Sequence, residues 1–238
     1  MTDYRAIERQ LMSELGLTRR PVAVAFLDAA PSGVAPFVGS APSGCSFWKM
    51  ASEGHAFYTV PRDHYNCSIG AYTHNIALPV VRAKELEDTL GFMTSIGYVR
   101  MEEVPGIPVL PNTPGAVVYA PLGETPVEPD VVLFWGPAAR VMLLQEAAIR
   151  AGIAGSPNTL GRPTCMALPA ALAHGMVMST GCVGNRVYTG TQEGELYAAV
   201  PGNVLPKLAE AAPTIAVANA RLMDYHQARR VQLTSQPT

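Results

Sequence analysis

Cys45, Cys67, Cys165 and Cys182 are the residues best placed to do chemistry, and they are the four cysteines of this 238-residue chain. Each lies next to a residue that bends backbone or opens a helix. The surroundings are Gly44-Cys45, Asn66-Cys67, the run Arg162-Pro163-Thr164-Cys165, and the segment Ser179-Thr180-Gly181-Cys182-Val183-Gly184-Asn185-Arg186. A thiol binds metal as its thiolate, and a helix N-terminus or a glycine-rich nest of N–H groups favours that form. Cys45, Cys67 and Cys165 fall near predicted helix starts, and Cys182 sits between glycines. The pattern points to a metal centre. Four thiolates suit either zinc or iron–sulfur. The short Cys-x-x-Cys pairs of zinc sites are missing, which favours a [4Fe–4S] cluster buried between elements. Three other readings stand beside it: a zinc-stapled binding module, a metal-free thiol enzyme or redox sensor acting through Cys67, and plain burial of four thiols in a core.

Other residues could assist. His64 precedes Cys67 by three positions and His74 follows it by seven, spacings that share a helix face. His64 could donate a hydrogen bond to a cluster sulfur or a proton to a substrate. Lys49 follows Cys45 by four positions and Arg186 follows Cys182 by four. Either could offset cluster charge or hold an anionic substrate. Tyr58, Tyr65, Tyr188 and the methionines read as packing residues.

Composition limits the alternatives. The chain is 48% hydrophobic and 15% charged with a net charge of −2, so it can bury a substantial core. Arg19-Arg20 and Arg229-Arg230 are isolated basic pairs, which disfavours nucleic acid as a partner. The start of the sequence lacks an apolar signal core, and no apolar run is long enough to span a membrane. A cytoplasmic location follows, where thiols stay reduced. Phosphate-loop, dinucleotide, zinc-protease and serine-hydrolase motifs are absent from the sequence. The implied partner is a small-molecule substrate or an electron-transfer protein, with iron–sulfur oxidoreductase or lyase-like chemistry if the chain is an enzyme. The apolar bias is compatible with a homodimer.

The elements that must position these residues follow from periodicity. Ile7, Leu11 and Leu15 mark a helix ended by Gly16. Strands are predicted over 21–26, 56–60, 116–120, 130–135 and 176–179, and helices over 43–51, 64–78, 84–93, 138–151 and 164–172. Ser43 and Asp63 are the predicted caps of the second and third helices. Residues 152–162 and 181–185 read as loops, and 187–189 pairs with 196–200 as a hairpin. The chain is helical from Leu205, interrupted at Pro213, with a frayed tail over 232–238. The alternation predicts an α/β or α+β fold with a mixed sheet and flanking helices, in one domain over 1–231. In two segments a cysteine opens a helix, a strand follows, and a second cysteine lies beyond it. This echo is compatible with pseudo-repeated halves, 1–103 and 116–231.

With these segments placed, the chain resembles domain-of-unknown-function family 169. The matching pieces are Arg20-Pro21-Val22-Ala23-Val24, Cys45, Phe57-Tyr58, Cys67, Glu128-Pro129-Asp130-Val131-Val132, Cys165, and Gly181-Cys182-x-Gly-x-Arg followed by Tyr188 and Gly190. They run in order over roughly residues 20–201. Where the family tends to have Cys-Pro-Gly-Gly, this chain has Cys67-Ser68-Ile69-Gly70. The family has no established activity, so the resemblance implies clustered cysteines and leaves the reaction open.

Overall fold

Alternating apolar residues build the centre of the fold. In a computed structural model that describes residues 2–234, seven strands form one mixed sheet. They are β1 (Val22–Leu27), β2 (Phe57–Thr59), β3 (Ala116–Pro121), β4 (Val131–Pro137), β5 (Gly155–Leu160), β6 (Met176–Ser179) and β7 (Glu195–Pro201). Their spatial order is β2-β3-β1-β4-β7-β6-β5. Every pairing is antiparallel except β5 with β6.

Period-two patterning gives the sheet two buried faces. Val131, Leu133 and Trp135 of β4 pack with Val22, Val24, Tyr197 and Ala199 on one face. Val132 and Phe134 pack with Ala23, Ala198 and Val200 on the other. The second face is covered by α1 (Tyr4–Leu15), α5 (Ala138–Arg150) and the first turns of α8 (Leu205–Thr234). The first carries α2 (Gly44–Ser52) and α6 (Ala167–His174), flanked by the short helices α3 (Ser68–Thr73) and α7 (Val183–Thr189). A further helix, α4 (Glu85–Ser95), packs on α3. This is a mixed α/β fold with helices on both sides of the sheet.

Several expectations are corrected. Residues 155–160, read as loop, form edge strand β5. Their Gly-Ser-Pro composition hides a strand that exists because β6 offers it a parallel partner. Residues 187–189 belong to α7 and not to a hairpin. Both edges of β7 are already taken by β4 and β6, and Cys182 and Gly190 (φ 72°) cap the β-branched segment as a helix. Asp63 caps no helix over 64–78. Its carboxylate accepts the Val60 N–H within a 3₁₀ turn, and the helix proper starts at Ser68 with Cys67 as its cap. The Ser43 hydroxyl meets Ser46 Oγ and leaves the backbone N–H groups of α2 unbonded by its side chain.

Pro213 does not interrupt α8. Proline removes the N–H that would bond the carbonyl four residues back. That carbonyl, Ala209 O, instead accepts from Gln10 Nε2 at 2.9 Å, so the helix continues to Thr234. Of the tail predicted to fray, residues 232–234 are helical and the remainder lies outside the described residues. No helix among the described residues is long and apolar enough to cross a membrane.

Candidate metal centre

Four separate elements bring the cysteines to one place. Cys67 is the N-cap of α3 and Cys182 the N-cap of α7. Cys45 is the second residue of α2, and Cys165 lies in the 3₁₀ turn Thr164–Met166 that leads into α6. All four line a single cavity of about 930 Å³. Cys45 and Cys165 are buried, while Cys67 and Cys182 are half-exposed.

At the two caps, sulfur takes the place that serine oxygen usually fills. The Gly70 N–H donates to Cys67 Sγ at 3.3 Å and the Asn185 N–H to Cys182 Sγ at 3.4 Å. These N–H groups are free because they belong to a first helical turn, and they favour negative charge on sulfur. Glycine makes room in both places. A Cβ on Gly70 would stand 3.0 Å from Cys67 Sγ. Gly181 has φ of 75°, and a Cβ there would lie 2.9 Å from Asn185 Oδ1. The two sides of the site are also tied together. Cys182 N–H donates to Thr164 Oγ1 at 2.5 Å, and the Cys165 thiol points to the Ile69 carbonyl at 3.9 Å.

Burial pushes the Cys45 thiol well up, neighbouring Cys165 adds to this, and nearby Asn185 opposes it. The Cys165 thiol is raised by burial and then by Cys67, with Thr73 opposing. As free groups both are protonated near neutrality and are poor nucleophiles. A bound cation would remove these protons outright. The Asn185 side chain is 2% exposed, lines the cavity, and has no hydrogen-bond partner for either amide atom among the described residues. Buried amides are nearly always bonded. Its Nδ2 donor stands beside the Cys45 thiol and could serve a thiolate there.

Among the described residues, no three Cys, His, Asp or Glu side chains gather tightly enough to hold one metal ion.

The assisting residues are placed differently. His64 is 1% exposed and lies behind Gly44, outside the cavity wall. Its Nε2 meets Thr59 Oγ1 at 2.8 Å, and the Thr59 hydroxyl donates to Val117 O, so the network puts the proton on Nε2. His74 stacks 5.2 Å from His64 and bonds the Gly70 carbonyl through Nδ1 at 2.9 Å. Burial holds His74 down at about 4, and burial with His74 nearby holds His64 well below its usual value. Both imidazoles are neutral. The His64–His74 pair supports the floor of the site; neither forms a hydrogen bond to Cys67 among the described residues.

Lys49 lies 3.9 Å from Glu53 and away from the cavity wall. Arg186 binds the backbone carbonyls of Gln192 at 2.5 Å, Glu195 at 3.2 Å, and Thr180. It fixes the loop before Cys182 and does not line the cavity. The structure thus unites the four cysteines and leaves Lys49 and Arg186 outside their cavity. Sequence reasoning missed Gly70, Thr73, Thr164 and Asn185. Gly70 and Asn185 had a signal: each stands three residues after a cysteine, the N-cap to N3 spacing.

The model of domain-of-unknown-function family 169, described as uncharacterised ArCR, matches residues 10–211. The chain belongs to this family. The matched span contains the whole sheet and all four cysteines, and it ends before the exposed part of α8. No curated protein and no solved structure matches the chain. What family 169 membership supplies here is therefore the framework of the cysteine cavity, and the chemistry rests on the residues themselves.

Proposed function

We propose that this family 169 chain is a cytoplasmic iron–sulfur protein in which Cys45, Cys67, Cys165 and Cys182 hold one [4Fe–4S] cluster. The observation that carries the reading is the convergence of four cysteines, from four different helix starts, on one cavity. A bound cluster would supply one-electron exchange, or Lewis acidity toward a small molecule if one iron were left open.

The chain's own residues have defined parts. The Gly70 and Asn185 N–H groups offset thiolate charge at Cys67 and Cys182. Phe47, Trp48, Tyr119, Trp135 and Tyr197 are buried in one apolar cluster with Cys45 and Cys165, behind the cavity wall. The Asn185 amide offers a donor at the same wall. Complete thiolate ligation favours electron transfer or reduction, and a small molecule or an electron-transfer protein is the partner. The basic pairs Arg19-Arg20 and Arg229-Arg230 are isolated in the sequence, which argues against nucleic acid as the partner.

The test is an absorption spectrum with iron, zinc and acid-labile sulfide assays on protein purified without oxygen. A broad band near ~400 nm with about four iron and four sulfide per chain is expected. Each single Cys→Ser substitution should lower that yield. A colourless, sulfide-free sample holding one zinc, or no metal, would overturn the proposal.

A further inference from the structure

We infer that the cysteine cavity is also the binding chamber for a neutral, largely apolar small molecule. It rests on the iron–sulfur reading only in making that molecule the substrate or electron partner of the centre. Its binding can be tested separately.

Size is the first argument. Eight inorganic atoms, each allowed roughly the 30 Å³ that a water takes in the liquid, would fill about a quarter of the cavity's ≈930 Å³. The remainder matches the ~300–1,000 Å³ of small-molecule sites. The wall supplies the second. Leu90, Phe92 and Met93 of α4, its C-cap Ile96, Ile107, and Val183 of α7 line it. Phe92, Ile96 and Val183 remain 64%, 59% and 63% exposed, so two helices present unpartnered apolar side chains to one opening.

Charge is the third. Apart from the cysteines, exposed His174 and the phenols Tyr98 and Tyr188, which are neutral near pH 7, the ionisable side chains of this wall are Glu103 and Arg162 among the described residues. They pair with each other at 3.0 Å, and the Arg162 guanidinium lies over the Tyr98 ring at 4.9 Å. Glu103 is shared with Arg100 at 2.7 Å, so among the described residues both formal charges of the wall are already engaged. A charged ligand would lose its hydration without compensation, whereas an apolar neutral one gains by leaving water.

The probe is N-phenyl-1-naphthylamine, neutral and brighter in apolar surroundings, compared with its sulfonated analogue 8-anilinonaphthalene-1-sulfonate. Both are titrated into metal-free and into iron- and sulfide-loaded protein. One saturable site per chain is expected for the neutral dye, with the sulfonate at least about tenfold weaker because its charge finds no partner. Phe92→Asp and Val183→Asp replace exposed side chains and should leave the circular dichroism unchanged, yet each should weaken the neutral dye by about tenfold. Val217→Asp, on the exposed part of α8, should leave binding as it was.

No saturable binding, equal binding of the two dyes, or binding indifferent to Phe92→Asp and Val183→Asp would overturn the inference. Dye binding by a chain that takes up no iron would keep the chamber and remove the cluster. Iron uptake without dye binding would do the reverse.

Discussion

At the residue scale, the site depends on small groups beside the sulfurs. Gly70→Ala would put a methyl 3.0 Å from Cys67 Sγ and turn the thiol from its capping position. Iron uptake should fall while the far-UV circular dichroism stays native. Gly181→Ala adds a left-handed backbone cost to a clash with Asn185, together about 1–3 kcal/mol, readable as a lower urea midpoint. The buried histidines make a pH prediction. His74 titrates at about 4 when folded, against roughly 6.5 in an unfolded chain. Between those values the unfolded chain binds a proton that the native one refuses. The stability contribution is complete above about pH 6.5 and is lost as pH falls through about 4, a change on the order of 3 kcal/mol. His64 acts in the same direction. Urea melts from pH 7 to pH 4 should show this fall, and the slope should be shallower in His74→Gln.

At the element scale, α8 divides into a packed and an unpacked part. Gln10 replaces the hydrogen bond that Pro213 cannot make, so Gln10→Ala leaves Ala209 O without that partner. A loss of about 1 kcal/mol is expected by urea denaturation. Residues 220–234 are all exposed, and Leu222, Met223, Tyr225, Val231 and Leu233 show apolar side chains there. Deleting 221–234 should change stability by less than about 0.5 kcal/mol, because every residue removed is exposed. Size-exclusion of the full and shortened chains tests whether this helix also supports a homodimer; a dimer made by α8 becomes a monomer on truncation.

At the scale of the whole molecule, the cysteine pairs arrive from opposite ends of the sheet. Cys45 and Cys67 flank β2 at one edge, and Cys165 and Cys182 flank β6 beside the other. The sheet joins elements from both parts of the chain, with β1 between β3 and β4. A centre held by all four cysteines would cross-link four helices over this one face. The extensive two-sided core should keep the metal-free protein folded. Loading should then raise the melting temperature, since a ligand that binds only the native state stabilises it. Calorimetry with and without iron and sulfide measures that rise.

Sequence alone determined which residues could do chemistry and most of the elements holding them. Free cysteines beside glycine, proline and capping residues were visible because capping is local. Strands β1, β2, β3, β4, β6 and β7 and helices α1, α2, α4, α5, α6 and α8 were visible because burial on one or both faces imposes its period on the chain. Only the tertiary structure decided the rest. Strand β5 exists through pairing with β6, and α7 is a helix because β7 had no free edge for a hairpin. Pro213 stays within α8 because Gln10, far away in sequence, reaches its orphaned carbonyl. The meeting of the cysteines is likewise non-local: Cys45 and Cys182 are 137 positions apart, and only the sheet order brings their helix starts to the same cavity.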